Sequence, residues 1–317
     1  MAHGHSWRDL ARAVIFVTLL GTLAGCSGIS AASTARATTT PTIQAPTPTP
    51  TPLSEPPSPP PHISARAALL MDATTGNVLF SKNANTEMAM ASTTKIMTAI
   101  VALTYATPAM PITIGADAAA MNNGEDSVAY LRKGDTITLS DLLYALMLPS
   151  GDDAAVAIAD GVAGSQANFV HLMNLEAFLL GLHHTHYANV HGLDAAGHYT
   201  TAADLARLTR FAMRNWLFAH VVGTATYTLP ATTQHATYTW TNTNELVWAN
   251  GYPGSTGVKT GFTGNAGYCL VFSARRNGAS LLGVVLGEPA YEARFTDAAA
   301  LLDWGFGSEG RSTGTSG

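Results

Sequence analysis

Positive charge is scarce in this 317-residue chain, and lysine is scarcer than arginine. Sixteen lysines and arginines stand against 21 acidic residues, and the formal net charge is −5. No run of basic residues offsets this balance, which argues against a nucleic acid as a partner. The chain contains only four lysines, which are Lys82, Lys95, Lys133 and Lys259. A motif that contains one of them therefore carries more weight than it would in an average sequence.

Cysteine is nearly absent, which excludes a fold stabilised by disulfides. The chain has two cysteines, Cys26 and Cys269. Cys269 lies in an apolar segment, and we expect a buried, inert thiol there. With 47% hydrophobic residues, the chain can instead bury a large core, in one domain or in two lobes.

A short apolar run, rather than a membrane-spanning one, lies near the N-terminus. Residues 13–20 are too few to span a bilayer but suit the core of a secretory signal, and Arg8 and Arg12 precede them. The following Leu23-Ala24-Gly25-Cys26 resembles the cleavage box of bacterial lipoproteins, in which the cysteine becomes the lipidated first residue. We therefore predict a signal peptide at residues 1–25, export, and attachment through Cys26 to the outer face of the cytoplasmic membrane. The alternative is ordinary signal cleavage, with Cys26 incidental and the protein in the cell wall or periplasm.

Residues 26–61 are rich in threonine and proline and are predicted to be a linker. Proline alternates strictly with threonine over residues 46–52. Such a run favours extended polyproline II and cannot form a core. A spacer that lifts a domain off a surface is the more economical interpretation; a ligand for a signalling domain is the alternative.

Strand patterns occur at both ends of a domain predicted to span residues 62–306. Residues 65–71 and 77–80 flank a Thr-Thr-Gly turn, and residues 237–241 alternate small polar with aromatic side chains. Residues 267–275 and 280–286 flank Asn277-Gly278, a strong hairpin signal. We predict an α/β (α+β) fold in which one antiparallel sheet is built from both ends of the domain, beside a helical lobe.

Helical patterns fill the middle of this domain. They cover residues 139–148, 154–162, 169–180 and 202–213, and a last helix is predicted at residues 295–304. Ser140 is the expected cap of the first of these helices, and Thr200 or Thr201 caps the fourth. Residues 307–317 are rich in Gly, Ser and Thr and are predicted to be a flexible tail.

The stretch Ser92-Thr93-Thr94-Lys95 opens an apolar run that predicts a buried helix over residues 96–103. Residues three apart share a helix face, so the Ser92 hydroxyl and the Lys95 amine are expected to lie together. A serine becomes a good nucleophile when a neighbouring base takes its proton, and a lysine can be that base where burial or a second cation disfavours its charge. On its own, however, Ser-x-x-Lys also describes a surface serine beside a solvated lysine.

Two further motifs strengthen the case for a nucleophilic serine. Ser150-Gly151-Asp152 lies between two predicted helices, and Lys259-Thr260-Gly261 precedes the hairpin. Each has a purely structural interpretation, as a turn and as an edge strand before a glycine turn. Together, in this order, the motifs resemble the set found in penicillin-recognising serine enzymes.

The resemblance extends over about residues 63–306, where Gly192-Leu193-Asp194, His198-Tyr199-Thr200-Thr201-Ala202 and Leu302-Asp303-Trp304-Gly305-Phe306 look like serine-type D-Ala-D-Ala carboxypeptidases. This family trims peptidoglycan stem peptides on a β-lactamase/DD-peptidase-like fold. The resemblance implies that Ser92 attacks the penultimate D-alanine, that Lys95 accepts its proton, and that Ser150 relays a proton to the leaving amine. It implies no metal and no organic cofactor.

The same resemblance implies the substrate-binding residues. Lys259 would supply the second cation, Thr260 and Arg294 would bind the substrate carboxylate, and the amides of Ser92 and Phe262 would form an oxyanion hole. Asp152 belongs to this set but departs from the family pattern, which usually has asparagine there. An ionised aspartate would favour the charged form of the Lys95 amine, whereas Lys259 would oppose it.

Two other functions remain open from the sequence. A β-lactamase could use the same fold, but no Glu-x-x-Leu-Asn segment lies between Ser150 and Lys259, so β-lactams are expected to act as covalent inhibitors. A catalytically silent peptidoglycan-binding module is favoured only by Asp152. A cluster of five histidines could be taken for zinc ligands; they are His183, His184, His186, His191 and His198. The cluster has no partner cysteines, and we predict no metal site.

Overall fold

Nine strands make up the sheets of the computed structural model, which describes residues 59–124 and 127–312, without the side chains of residues 308–312. In chain order, they are β1 (Ala67–Asp72), β2 (Val78–Lys82), β3 (Pro111–Thr113), β4 (Thr136–Thr138), β5 (Thr226–Leu229), β6 (Tyr238–Thr241), β7 (Ser255–Thr263), β8 (Gly267–Arg276) and β9 (Ala279–Glu288). The predicted signal peptide and nearly all of the predicted linker lie outside the described residues.

The helices follow the same order. They are α1 (Lys95–Tyr105), α2 (Ala116–Ala120), α3 (Leu139–Met147), α4 (Asp152–Ala163), α5 (Gln166–Leu179), α6 (Ala202–Ala212), α7 (Trp216–Val222) and α8 (Ala293–Ser312). Two short 3₁₀ turns occur at Ala91–Thr94 and Glu245–Val247. Among the described residues, no helix is both long and apolar enough to cross a membrane.

The main sheet joins the two ends of the domain, as the sequence predicts. Its five strands run in the order β2-β1-β9-β8-β7, and every neighbouring pair is antiparallel. Asn277 and Gly278 connect β8 to β9 with φ values of 51° and 84°, the left-handed conformation that a tight hairpin turn requires. The predicted antiparallel sheet with a helical lobe beside it is therefore confirmed.

Both faces of the sheet are buried, because successive strand residues point to opposite sides. Along β1, Leu69 packs into the core shared with the helical lobe, whereas Leu70 packs into a second core. Helix α8 closes that second core with Phe295, Leu301 and other apolar residues. The prediction of a tail from residue 307 is wrong at its start, because α8 continues to Ser312.

The helix caps show how side chains fix the ends of the helical lobe. Thr138, not Ser140, caps α3, since Thr138 Oγ1 accepts the Asp141 N–H and Ser140 already lies in the first turn. Thr201 caps α6 in the same way, through the Asp204 N–H. The alternative cap Thr200 is excluded, because it lies before that position.

The sequence pattern does not predict β3, β4, β5 or the short helices α2 and α7, whereas β6 lies at the predicted strand of residues 237–241. Strands β3 and β4 have three residues each, and β5 pairs with β6 outside the main sheet. The cap of α7 is Asn215, whose Oδ1 accepts two backbone N–H groups. Of these elements, β6 contacts the loop that carries Ser127, because Trp240 Nε1 donates to the Ala129 carbonyl oxygen at 2.9 Å.

Candidate active site

Ser92 and Lys95 lie on one tight turn at the start of α1. Residues Ala91–Thr94 form a 3₁₀ turn, and the α-helix begins at Lys95. Side chains three residues apart eclipse each other on a 3₁₀ turn, and Lys95 Nζ lies 3.0 Å from Ser92 Oγ. The structure therefore brings the two residues together, on a 3₁₀ turn rather than the α-helical turn that the sequence pattern predicts.

Lys95 is completely buried, and each N–H of its ammonium group has an acceptor. Besides Ser92 Oγ, the acceptors are Asp152 Oδ1 at 2.5 Å and the His191 carbonyl oxygen at 2.7 Å. Asp152 is also buried, so water screens this ion pair little. An ammonium group cannot accept a proton, so only the neutral amine of Lys95 could act as a base toward Ser92.

Ser150 lies in a strained turn between α3 and α4. Its φ is +68°, a conformation that is uncommon for residues other than glycine. The side chain is buried, and its Oγ has no hydrogen-bond partner among the described residues. A buried hydroxyl without a partner is unfavourable, so strain and lost hydrogen bonding coincide at a residue that the sequence motif singles out.

The neighbouring carboxylates of Asp152 and Asp153 have different partners. Asp152 faces Lys95, whereas both carboxylate oxygens of Asp153 accept backbone N–H groups, from Ala129 and Leu131. The Asp152 N–H donates to the Ser127 carbonyl at 2.7 Å. The second motif is thus tied to the loop of residues 127–131, and this loop forms one wall of the site.

Strand β7 runs closely against the Ser92 turn. A Cβ atom on Gly261 would lie 3.1 Å from the Ser92 amide nitrogen. On the other side, a Cβ on Gly192 would lie 2.1 Å from the Ala91 carbonyl oxygen, and Gly192 has a φ of +105°. The third sequence motif and the Gly192 loop therefore enclose the Ser92 turn from both sides.

Lys259 is the second buried cation of the site. It is 1% exposed, and its Nζ donates to the Thr260 carbonyl at 3.0 Å. Burial and then the positive charge of Lys95 lower the pKa of Lys259 well below its usual value, while Asp152 acts in the opposite direction. Two lysines and one carboxylate therefore share a region from which water is excluded.

Arg294 and Thr260 mark the end of the site where a substrate carboxylate is expected. The Arg294 guanidinium lies over the Tyr291 ring, 4.2 Å from its centroid, and its buried Nε has no hydrogen-bond partner. Thr260 Oγ1 lies 2.6 Å from Thr243 Oγ1. Phe262 is 54% exposed and stacks on Tyr268.

These groups line a cleft of about 270 Å³. Its walls include every residue of the predicted site except the two lysines, which are buried. The predicted members are Ser92, Ser150, Asp152, Thr260, Phe262 and Arg294. Residues that the sequence analysis gave no role also line it, among them Ser127, Gly192, Leu193, Thr243 and Tyr291.

His198 belongs to a structural network rather than to a cluster of ligands. The Ala188 N–H donates to its Nδ1 at 3.0 Å, so Nε2 carries the proton that is donated to Thr94 Oγ1 at 2.8 Å. Thr94 in turn donates to the Ala91 carbonyl. The network supports the Ser92 turn, and no local sequence signal predicts it.

The other histidines do not converge. His186 Nδ1 pairs with the Gly197 carbonyl, and His184 Nδ1 lies 3.2 Å from Glu87. Within the described part of the chain, no group of three or more His, Cys, Asp or Glu side chains could hold a metal ion. Cys269 is buried with a free thiol, whose pKa burial raises to about 11.

Comparison with known proteins gives one consistent result. Residues 54–290 match the family described as D-alanyl-D-alanine carboxypeptidase. The D-alanyl-D-alanine carboxypeptidase of Streptomyces sp. (strain K15) is 39% identical over 78% of this chain and 88% of the relative. An Escherichia coli (strain K12) D-alanyl-D-alanine carboxypeptidase is also 39% identical over 78% of this chain, which spans 62% of that relative.

Solved structures agree with the sequence matches. The Streptomyces K15 DD-transpeptidase superposes with a TM-score of 0.74 at 38% identity, over 78% of this chain and 99% of that structure. A D-alanyl-D-alanine carboxypeptidase from Mycobacterium tuberculosis H37Rv gives 0.72 at 31% identity, over 79% and 94%. The chain belongs to the D-alanyl-D-alanine carboxypeptidase family of serine peptidases.

Proposed function

We propose that this chain removes the terminal D-alanine from peptidoglycan stem peptides through an acyl-enzyme on Ser92. The observation that carries the proposal is the contact between a partly exposed Ser92 hydroxyl and the buried Lys95 amine, 3.0 Å apart at the floor of the cleft. No other serine of the cleft has a lysine within hydrogen-bonding distance: Ser150 Oγ has no partner in the described residues.

Acylation begins when the neutral Lys95 amine accepts the Ser92 proton. Ser92 Oγ then attacks the carbonyl carbon of the penultimate D-alanine, and negative charge develops on the carbonyl oxygen. The amides of Ser92 and Phe262 stabilise that charge, which exists only in the transition state and the tetrahedral intermediate. The close approach of Gly261 to the Ser92 amide supports this pairing.

Collapse of the intermediate breaks the peptide bond and releases the terminal D-alanine. Its amine needs a proton, which Lys95 returns through the Ser150 hydroxyl. The otherwise unpartnered Ser150 Oγ supports this role, because the leaving amine would supply the missing hydrogen bond. Water then attacks the ester carbonyl and regenerates Ser92.

Thr260 and Arg294 hold the terminal carboxylate of the substrate, and the buried Lys259 attracts it. The unpartnered Arg294 Nε and the exposed end of the cleft support this orientation. Lys259 has a second task, because the positive charges of Lys259 and Lys95 disfavour each other and the two amines do not readily carry both charges. Asp152 opposes this effect through its ion pair with Lys95.

The described cleft favours slow hydrolysis of a β-lactam acyl-enzyme over rapid β-lactamase turnover. Among the described residues that line it, Asp152 is the only carboxylate, and it is already paired with Lys95. It is therefore poorly suited to activate the water that a β-lactamase needs for deacylation. β-Lactams accordingly act as covalent inhibitors of this enzyme, as they do for penicillin-binding relatives.

D-Alanine release from a pentapeptide ending in D-Ala-D-Ala tests the function. Wild type should release D-alanine, and Ser92→Ala should lose the activity while keeping the fold, as judged by circular dichroism. Ser81→Ala, which removes an exposed serine hydroxyl on β2, is the matched control and should remain active. Equal activity in Ser92→Ala and wild type would contradict the proposal.

The enzyme works at the bacterial cell wall, and we propose that a lipid on Cys26 holds it at the membrane. The cleavage box that ends at Cys26, with Arg8, Arg12 and the apolar run before it, supports this attachment. Stable anchoring takes more than one acyl chain. Cys26→Ser should release active enzyme into the soluble fraction, whereas equal membrane retention of both proteins would point to another anchor.

A further inference from the structure

A second cavity, of about 440 Å³, shares no lining residue with the catalytic cleft. It lies where the turn between β1 and β2 meets α6 and the β7–β9 strands. Three arginines line it, Arg210 on α6, Arg214 just after α6, and Arg275 on β8. The described residues that line it include no aspartate or glutamate. In a chain with a net charge of −5, this concentration of positive charge is unusual.

Arg210 is held rigidly without being neutralised. Its Nε donates to the Ala73 carbonyl at 2.8 Å, and its Nη2 donates to the Thr74 carbonyl at 2.6 Å. Neither bond uses Nη1, and carbonyl oxygens carry no formal charge. The guanidinium is therefore fixed in direction while its positive charge is still available to a ligand.

Arg214 and Arg275 are exposed, and neither forms an ion pair within the described residues. Arg276, the next residue along β8, behaves differently. Its Nη2 lies 3.4 Å from Asp303 Oδ1 and donates to the Tyr252 hydroxyl at 2.7 Å. Among the described residues, Arg276, which points away from the cavity, therefore forms an ion pair, whereas the three cavity arginines do not.

Hydroxyl groups add directional donors beside these cations. Thr256 Oγ1 and Ser273 Oγ lie 2.6 Å apart, both line the cavity, and Ser273 is buried. Their mutual hydrogen bond uses one of the two hydroxyl protons. The other proton remains available for an acceptor in the cavity.

We propose that this cavity binds a phosphate-bearing ligand, either a phosphomonoester or a phosphodiester. Guanidinium groups match phosphate oxygens through paired N–H donors, and the hydroxyl pair supplies a further donor. The three guanidinium groups carry more positive charge than the single negative charge of a carboxylate ligand would neutralise. The cavity volume leaves room for a group such as glycerol beside the phosphate. The ligand is either a soluble phosphate compound or the headgroup of an anionic phospholipid.

Titration calorimetry of the full chain with inorganic phosphate and glycerol phosphate tests the site, at an ionic strength kept constant with sodium chloride. The double variant Arg214→Gln/Arg275→Gln should bind at least about tenfold more weakly, because hydrogen bonds to charged groups are lost. Arg132→Gln/Lys133→Gln removes the same charge from exposed positions outside the cavity and should bind like wild type. Absence of binding to wild type, or equal weakening in both variants, would overturn the proposal.

Sedimentation with vesicles distinguishes the two sources of phosphate. In a Cys26→Ser background, vesicles of phosphatidylcholine are compared with vesicles that also contain phosphatidylglycerol. Binding that needs phosphatidylglycerol and the two arginines supports a headgroup, whereas binding of the soluble compounds alone supports a soluble ligand. D-Alanine release should be unchanged in the double variant, so this proposal and the proposed function can fail separately.

Discussion

Lys95 Nζ and Asp152 Oδ1 lie 2.5 Å apart, and both side chains are buried. This contact links the first sequence motif to the second and holds α1 against the start of α4. In the proposed mechanism this ion pair opposes the first step, because a charged Lys95 cannot accept the Ser92 proton. The positive charge of Lys259, on β7, acts against that of Lys95.

Asp152→Asn should let acylation proceed at lower pH than in wild type. The substitution removes a buried negative charge from the Lys95 amine, so the neutral amine becomes available earlier as pH rises. Penicillin acylation near neutrality should be faster in the variant than in wild type, and the rising limb of its pH profile should move toward lower pH. Stopped-flow acylation across a pH series gives both quantities.

Asp303→Asn is the matched control for that substitution. It breaks the ion pair with Arg276 at the exposed side of α8, where such pairs contribute about 0–1 kcal/mol. Its acylation profile should follow that of wild type. If the Asp152→Asn and wild-type profiles also superimpose, Asp152 does not control the protonation of Lys95.

Lys259→Met should stabilise the fold and impair acylation together. Because burial lowers the pKa of Lys259, the charged lysine is disfavoured in the folded protein at every pH below its ordinary value of 10.5. Removing the charge should raise the unfolding free energy at pH 7 by roughly 1 kcal/mol or more. Thermal unfolding and penicillin acylation measure the two effects, and Lys133→Met, at an exposed lysine, should change neither.

His198 should make the enzyme sensitive to mild acid. Burial, and then the nearby His191 and His186, lower the pKa of His198 from 6.5 to about 4. Protons therefore bind the unfolded chain first as pH falls, and stability that is present above pH 6.5 is lost between 6.5 and about 4. The loss attributable to His198 is about 3 kcal/mol.

His198→Gln should flatten this part of the pH dependence. Glutamine does not titrate in this range and can still donate to Thr94 Oγ1. Urea unfolding of wild type and variant at pH 7 and pH 4.5 isolates the difference. His171→Gln changes an exposed histidine on α5 and should keep the wild-type slope. A His198→Gln variant with the same slope as wild type would show that His198 does not titrate in this window.

Sequence pattern predicted the main elements where periodicity and turn chemistry agree. Asn277-Gly278 predicted the β8–β9 hairpin because both residues adopt the left-handed conformation readily. Strands β3 and β4 were missed because three residues do not establish an alternation. At the end of the domain, Gly305 and Gly307 suggest a flexible tail, whereas the buried Phe306 keeps α8 against the sheet.

In the candidate site, the motifs predicted residues that lie close together in the sequence. They did not predict contacts between residues that are far apart in the sequence. The bond between Thr94 and His198 joins residues 104 positions apart, and that between Thr243 and Thr260 spans 17. Gly192 was recognised within a family-like stretch, but its role became clear only from its fit against Ala91. Such contacts follow from tertiary packing, which no single stretch of sequence encodes.

Mass spectrometry of the enzyme after reaction with a fluorescent penicillin tests the central claim most directly. The label should add one acyl group per chain, and proteolysis should locate it on Ser92, which lies 3.0 Å from the Lys95 amine. Ser92→Ala, folded by circular dichroism, should carry no label, while Ser150→Ala should still be labelled, only more slowly. A stable acyl group on any residue other than Ser92, or persistent labelling of folded Ser92→Ala, would contradict the assignment of the nucleophile.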